Sequence, residues 1–271
     1  MSLEPPKTNL VDDTHCAEGD AAASARVLRE AQRLRYEFLR ELSHELRSPL
    51  NAINGFAEIL LRREIEPAAP QYREFVGHIL GGAHSLGRLI DNVLEFVDLE
   101  VGKLTFEPAP LVLPELVNES LRALRTEIAD KRLQVETVFA PGLTDIELDR
   151  ERLQRILDNL LANAVKFNRE EGRIGVRTAA DGPDAFVLEV EDSGIGIAEA
   201  DLPRVFLPFG RLPGEPRQRR RAGARLGLAL TKGLIEAQGG TIGVQSEPAH
   251  GTRFFVRLPR RMARAQDSPP R

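Results

Sequence analysis

Apolar residues at Phe38, Leu42, Leu46, Leu50, Ile53, Ala57 and Leu60 recur in steps of four and three, the spacing that keeps one face of a helix inward. The pattern predicts a helix over residues 24–63, with Pro67 and Pro70 marking a connection. A cleaner stripe follows: Tyr72, Val76, Ile79, Ala83, Leu86, Ile90, Val93 and Val97. That is a seam of coiled-coil type. Two antiparallel helices with stripes this wide cannot bury them alone. The pattern therefore predicts two copies of the chain closing a four-helix bundle.

Gly102 stops the second helix, and Pro108, Pro110 and Pro114 mark a boundary near residue 105. Beyond it the period changes. Residues 113–131 read as a helix, 134–139 as a strand, and Asp149 as the N-cap of a helix reaching about residue 168. Strands at 173–178 and 186–191, a helix at 226–238, and a hairpin of strands 241–246 and 252–258 complete a mostly antiparallel sheet with helices. The predicted class is α+β, with a helical-hairpin domain over 24–104 and a mixed domain over 105–260. Residues 1–23 read as a flexible lead-in and 261–271 as a disordered tail.

Composition narrows the function classes. At 271 residues the chain can hold two small domains, and 42% hydrophobic with 29% charged residues is ordinary for a soluble protein. A formal charge of −4 argues neither for bulk nucleic-acid binding nor for a basic membrane patch. The single cysteine, Cys16, permits no internal disulfide and fits a reducing compartment. No apolar run approaches the roughly 20 residues needed to span a bilayer, and the first 30 residues lack a basic-then-apolar start. The expected location is the cytoplasm.

Candidate chemistry begins at His44. It lies two positions past Leu42, roughly 200° round the helix at about 100° per residue, so its imidazole is expected to face solvent. Glu45 follows at once, and Pro49 bends the helix five residues on. An exposed imidazole can be a nucleophile, with an adjacent carboxylate taking the proton from one nitrogen while the other attacks. A solvated helix face is the commoner origin of such a pair, so its meaning depends on the rest of the chain.

Three signals in the second half point to one ligand. Asn159, Asn163 and Lys166 fall at i, i+4 and i+7 on one helix face. Two neutral oxygen donors and a cation suit a magnesium ion holding phosphates, where the alternative is a plain polar face. Asp192-Ser193-Gly194-Ile195-Gly196 follows a strand. Its glycines permit close backbone approach, and a carboxylate at a strand end can accept a hydrogen bond from an exocyclic amine such as that of adenine. Taken alone such a pair of glycines is weak evidence, because a plain turn is its commoner explanation. Gly223-Ala224-Arg225-Leu226-Gly227 opens a helix, whose N-terminal N–H groups suit phosphate. Before it runs an arginine-rich stretch with Arg217, Arg219, Arg220 and Arg221.

In order and spacing these pieces resemble the kinase core of the two-component sensor histidine kinases, from about Tyr36 to Pro259. His44 through Leu50 is similar to the phosphoacceptor box, Asn159 through Phe167 to the asparagine box, and Asp192 through Gly196 to the first glycine box. Phe206 through Phe209 is similar to the phenylalanine box, Gly223 through Gly227 to the second glycine box, and Gly251-Thr252 to a Gly-Thr of the terminal hairpin. The resemblance implies a dimeric phosphoacceptor hairpin joined to a Bergerat-fold ATP-binding α/β sandwich. It implies that His44 takes the γ-phosphoryl group of ATP while Glu45 orients and deprotonates it. It further implies that Asn163 holds Mg2+, with Asn159, Lys166 and Phe167 at the nucleotide. Asp192, Gly194 and Gly196 would meet the adenine, and Gly223, Arg225 and Gly227 the lid over the triphosphate.

Two positions depart from the family pattern. Ala224 and Arg225 stand where a hydroxyl residue and a glycine are usual, and the Arg225 guanidinium either obstructs the lid or binds phosphate itself. Ser48 replaces a more usual Thr or Asn four residues past the histidine, which bears on dephosphorylation of the partner rather than on kinase activity. The expected function is autophosphorylation of His44 and transfer to an aspartate of a response-regulator receiver domain. The alternatives are a degenerate dimeric scaffold of the same fold and an ATPase without phosphohistidine. Partners expected are a second copy of the chain and the receiver domain, without nucleic acid and without a membrane span. About 35 residues before the core are too few for a folded sensor, so the signal is expected from that segment, a separate sensor protein, or a part outside this chain.

Overall fold

Helices α1 (residues 42–61) and α2 (Pro70–Glu100) pair antiparallel. Phe56 stacks on His78 with ring centroids 4.5 Å apart and tilts against Phe75 at 5.1 Å. Further along, Gly82 lets α2 close on α1. A Cβ there would stand 2.9 Å from Ile53 Cγ1 and 3.2 Å from the Pro49 carbonyl oxygen. This arrangement comes from a computed structural model that describes residues 39–40, 42–62, 70–143, 145–208 and 226–262. The expected lead-in, Phe38, Pro67, Phe209, the arginine-rich stretch with Gly223, Ala224 and Arg225, and the tail from residue 263 lie outside the described residues. Within the α2 stripe Tyr72, Ile79, Leu86 and Val93 are half-buried, whereas Val76, Ala83, Ile90 and Val97 stay exposed in the single chain. Leu80 and Leu94 extend that uncovered face. Among the described residues no helix is long and apolar enough to cross a membrane.

The second part is a layer of helices on a five-stranded sheet ordered β2-β4-β5-β7-β6. These strands are β2 (Gln134–Val138), β4 (Arg173–Asp181), β5 (Ala185–Asp192), β6 (Thr241–Glu247) and β7 (Gly251–Pro259). The pair β2–β4 is parallel and the remaining pairs are antiparallel. Alternation decides which face is covered. Ile174, Val176, Phe186, Leu188, Val190, Phe254, Val256 and Leu258 point into the core. The opposite face carries the ion pairs of Arg177 with Glu191 and Glu136, and of Arg253 with Glu191.

Helices α3 (Leu113–Ala123), α5 (Arg150–Lys166) and α6 (Gly227–Ala237) cover the inner face. The expected single helix over 113–131 is two, because the chain turns at Leu124 (φ −97°, ψ 9°) before α4 (Arg125–Asp130). With neither Gly nor Pro between Glu115 and Lys131, the residue pattern carries no mark of the turn. Two strands were not expected: β1 (Pro108–Leu111) and β3 (Ile146–Asp149), paired antiparallel. Pro108 and Pro110 alternate along β1, so the missing donors fall on one edge, which an outer strand tolerates.

The hairpin leans on this layer. Glu95, largely buried, holds Arg152 Nη1 at 2.6 Å and Arg155 Nε at 3.3 Å, and Arg155 Nη2 donates to Asn92 Oδ1 at 2.7 Å. Leu99 sits against Gly233, where a Cβ on the glycine would overlap it.

Asp149 joins two segments at one carboxylate. Oδ1 accepts the Arg152 N–H at 3.0 Å as the α5 N-cap, and Oδ2 accepts the Glu107 N–H at 2.8 Å just before β1. Asp149→Ala removes the partner of two part-buried backbone donors and is expected to lower unfolding stability by about 2 kcal/mol. Urea denaturation checks this, and an unchanged midpoint would show that the carboxylate holds neither segment.

Candidate functional site

Helix α5 is placed by its apolar residues. Leu153, Ile156, Leu157, Leu160, Leu161, Ala164 and Val165 are buried, which leaves Asn159, Asn163 and Lys166 on the flank that borders a cleft of about 1540 Å³. The structure brings most of the sequence-selected residues to this cleft. Asn159, Asn163, Lys166, Phe167, Asp192, Gly196 and Gly227 line it, as do Glu45 and Ser48 from α1. His44 is exposed on α1, as its angle to Leu42 predicts.

Each side chain has a distinct setting. Asn159 donates Nδ2 to Thr231 Oγ1 at 2.7 Å, so it ties α5 to α6, and Gly227 lies so close that a Cβ would overlap the Asn159 amide. The Lys166 ammonium sits 5.1 Å over the Phe167 ring. Asn163 lines the cleft with its side chain hydrogen-bonded to none of the described residues. Phe206 packs edge-on to Phe254 with centroids 6.3 Å apart. Gly196 adopts φ +65° beneath the Glu247 carbonyl, a position that excludes any larger residue.

Asp192 is the electrostatic oddity of the cleft. Burial pushes its carboxyl up to about 6, with a smaller push from Glu191. Backbone N–H groups of Gly194 and Thr252 oppose the rise, the former at 2.8 Å from Oδ1. A buried carboxylate held this way accepts readily from a donor brought by a ligand.

Ser246, Asn168 and Thr231 escaped the sequence reading as parts of this region, and Thr252 was read only as half of a hairpin Gly-Thr. Thr252 faces Asp192 across the β5–β7 ladder and shares a 2.9 Å contact with Ser246 Oγ, which accepts the Ile197 N–H. The hairpin register was the signal that locates it. Buried Asn168 bridges Arg173 and Ser193, and no spacing announced it. Thr231 appears only through its bond to Asn159.

A carboxyl raised from 3.8 to about 6 stabilises the fold fully below about pH 4. That contribution is lost as the pH rises through 6, a change on the order of 3 kcal/mol. Asp192→Asn has no such titration. Unfolding midpoints of wild type and Asp192→Asn at pH 4.5 and pH 7.5 are expected to converge at the lower pH and separate at the higher, with the variant the more stable. Parallel pH profiles would contradict the buried-carboxylate account.

Residues 148–262 match the family model of the histidine kinase-, DNA gyrase B- and HSP90-like ATPases, and residues 34–102 that of the His Kinase A phospho-acceptor domain. The chain is 36% identical over 247 residues to the sensor histidine kinase GacS of Pseudomonas protegens, covering 89% of this chain and 26% of that protein. It is 35% identical over 234 residues to the signal transduction histidine-protein kinase BarA of Escherichia coli, covering 84% and 25%. Among solved structures, full-length ShkA in complex with AMPPNP is similar with a TM-score of 0.62 at 30% identity, over 84% of this chain and 46% of that one. The chain thus spans about a quarter of the length of these curated relatives. With a phospho-acceptor hairpin followed by an ATPase module of this kind, it belongs to the two-component sensor histidine kinases.

Proposed function

We propose that the chain is an ATP-dependent protein-histidine kinase that autophosphorylates His44 and hands the phosphoryl group to an aspartate of a response-regulator receiver domain. The observation that carries this reading is a shared cleft: Glu45 and Ser48 of the phosphoacceptor helix and Asn163, Lys166 and Asp192 of the nucleotide face line one cavity. In the first step one imidazole nitrogen of His44 bonds to the γ-phosphorus of ATP, the bond to the β–γ bridging oxygen breaks, and ADP leaves. Glu45 takes the proton from the other nitrogen. In the second step a receiver carboxylate oxygen bonds to the phosphorus and the imidazole leaves, regaining its proton.

Binding falls to this chain's own residues. Ionised Asp192 accepts the exocyclic amine of adenine, and Lys166 offers a cation to the phosphates. Asn163 fits a magnesium ligand because its side chain lines the cleft and bonds to none of the described residues, so its amide oxygen is not taken up by one of them. Magnesium, when bound, neutralises charge on the triphosphate.

The wild type incubated with γ-labelled ATP and magnesium is expected to acquire acid-labile, alkali-stable label. His44→Gln is expected to lose all label yet bind a fluorescent ATP analogue normally, and Asn163→Ala to label at least about tenfold more slowly. A wild type that binds no nucleotide would instead favour a scaffold of the same fold, and release of free phosphate without label an ATPase.

The uncovered face of α2 supports a dimer. Leu80 and Leu94 are 55% and 59% exposed, beside Val76, Ile90 and Val97, and a second hairpin would remove this continuous apolar strip from water. Ile90→Asp puts a charge into that seam. Sedimentation should shift from dimer towards monomer, and a wild type that sediments as a folded monomer would sink the bundle.

A further inference from the structure

Helix α5 ends at Lys166, and its last carbonyls have no further turn to satisfy them. A side chain from elsewhere gathers them. Lys131, the residue after α4, donates Nζ to the carbonyls of Val165 at 2.8 Å, Lys166 at 2.8 Å and Asn168 at 3.2 Å. An ammonium has three donors and no acceptor, so its whole capacity goes to one turn. The main chain repeats the attachment. The Lys131 carbonyl accepts the Glu171 N–H at 2.8 Å, and the Gln134 N–H donates to Gly172 at 2.9 Å. The α4–β2 turn and the α5–β4 turn are therefore bound as one unit.

That second turn forms a wall of the cleft. The Phe167 carbonyl accepts the Ile195 N–H at 3.2 Å, and it lies so close to Gly194 that a Cβ there would overlap it. Gly194 in turn donates to Asp192 Oδ1. Asn168 fixes the other side through Arg173 and Ser193. From Lys131 to the Asp192 carboxyl the path is a chain of direct contacts.

We propose that Lys131 is a positioning residue for the nucleotide site: its ammonium sets the seat of the Phe167–Asn168 turn, and so the width of the purine end opposite Asp192. This rests on the reading of the cleft as an adenine-nucleotide site. Lys131→Met keeps the aliphatic stem and removes every donor, so the turn loses its anchor. Lys131→Arg keeps the charge, but its planar fork suits a planar acceptor pair better than three converging carbonyls. A lysine that merely stabilised the fold would change the fraction folded and leave the affinities of folded protein alone.

The test is calorimetric titration of the full chain with adenosine, ATP and GTP in magnesium buffer. Lys131→Met is expected to weaken adenosine and ATP alike by about tenfold, the loss of a charge-assisted anchor. The preference for ATP over GTP should narrow several-fold, and Lys131→Arg should recover part of both. Unchanged affinities and an unchanged ATP-to-GTP ratio in Lys131→Met would overturn the proposal, whatever its melting temperature. So would a loss confined to ATP, which would move the effect to the phosphates. If Lys131→Met does not fold, Lys131→Gln and Lys131→Arg are read in the same way, and an unchanged ratio in both overturns it. Wild-type protein that binds no adenine compound would overturn the nucleotide-site reading and this inference together, whereas normal wild-type binding with an unresponsive variant overturns the inference alone.

Discussion

The apolar face of α5, from Leu153 to Val165, is shut between the sheet and the neighbouring helices, with five of its leucines and isoleucines fully withdrawn from water. Burying each such side chain contributes about 1.5–3 kcal/mol. Turning the helix by one residue would bring Leu157 towards solvent and carry Asp158 or Asn159 inward, losing several such contributions and burying polar groups as well. The helix is therefore fixed in azimuth, and Asn159, Asn163 and Lys166 face the cleft because the leucines cannot face it. The polar face of the site is set by the greasy one.

This explains what was legible in the residue pattern. The α5 cap at Asp149, its stripe and the asparagine spacing all express one helical period, so the element and its cleft-lining face could be read together. His44 was readable for the same reason, as a residue opposite its own stripe. What escaped depends on contacts between distant segments. The turn at Leu124 has no breaker residue, and β1 hides behind prolines that ordinarily argue against a strand. Lys131 lies 35 residues from the carbonyl of Lys166 that it binds. No local period encodes such a partner.

Asp192 illustrates a tension between fold and site. Its carboxyl is buried where burial disfavours charge, and only two backbone N–H groups soften that. A core chosen for stability alone would have an apolar residue or an amide there. The unfavourable setting makes sense for a group whose missing donor arrives with a ligand, because the same desolvation that raises its pKa strengthens the hydrogen bond it forms when occupied.

The contact of Glu95 with Arg152 and Arg155 touches the opposite end of the same helix from the Phe167 turn. At 17 residues α5 is about 25 Å long, and its buried face makes it stiff. Hairpin and nucleotide turn thus grip one rod at its two ends. Linkage then imposes a symmetry. By whatever factor an occupied cleft changes the affinity of α2 for those arginines, the docked hairpin must change the affinity of the cleft for its ligand by the same factor. Whatever loosens Glu95 and whatever fills the cleft are then tied by one and the same coupling free energy.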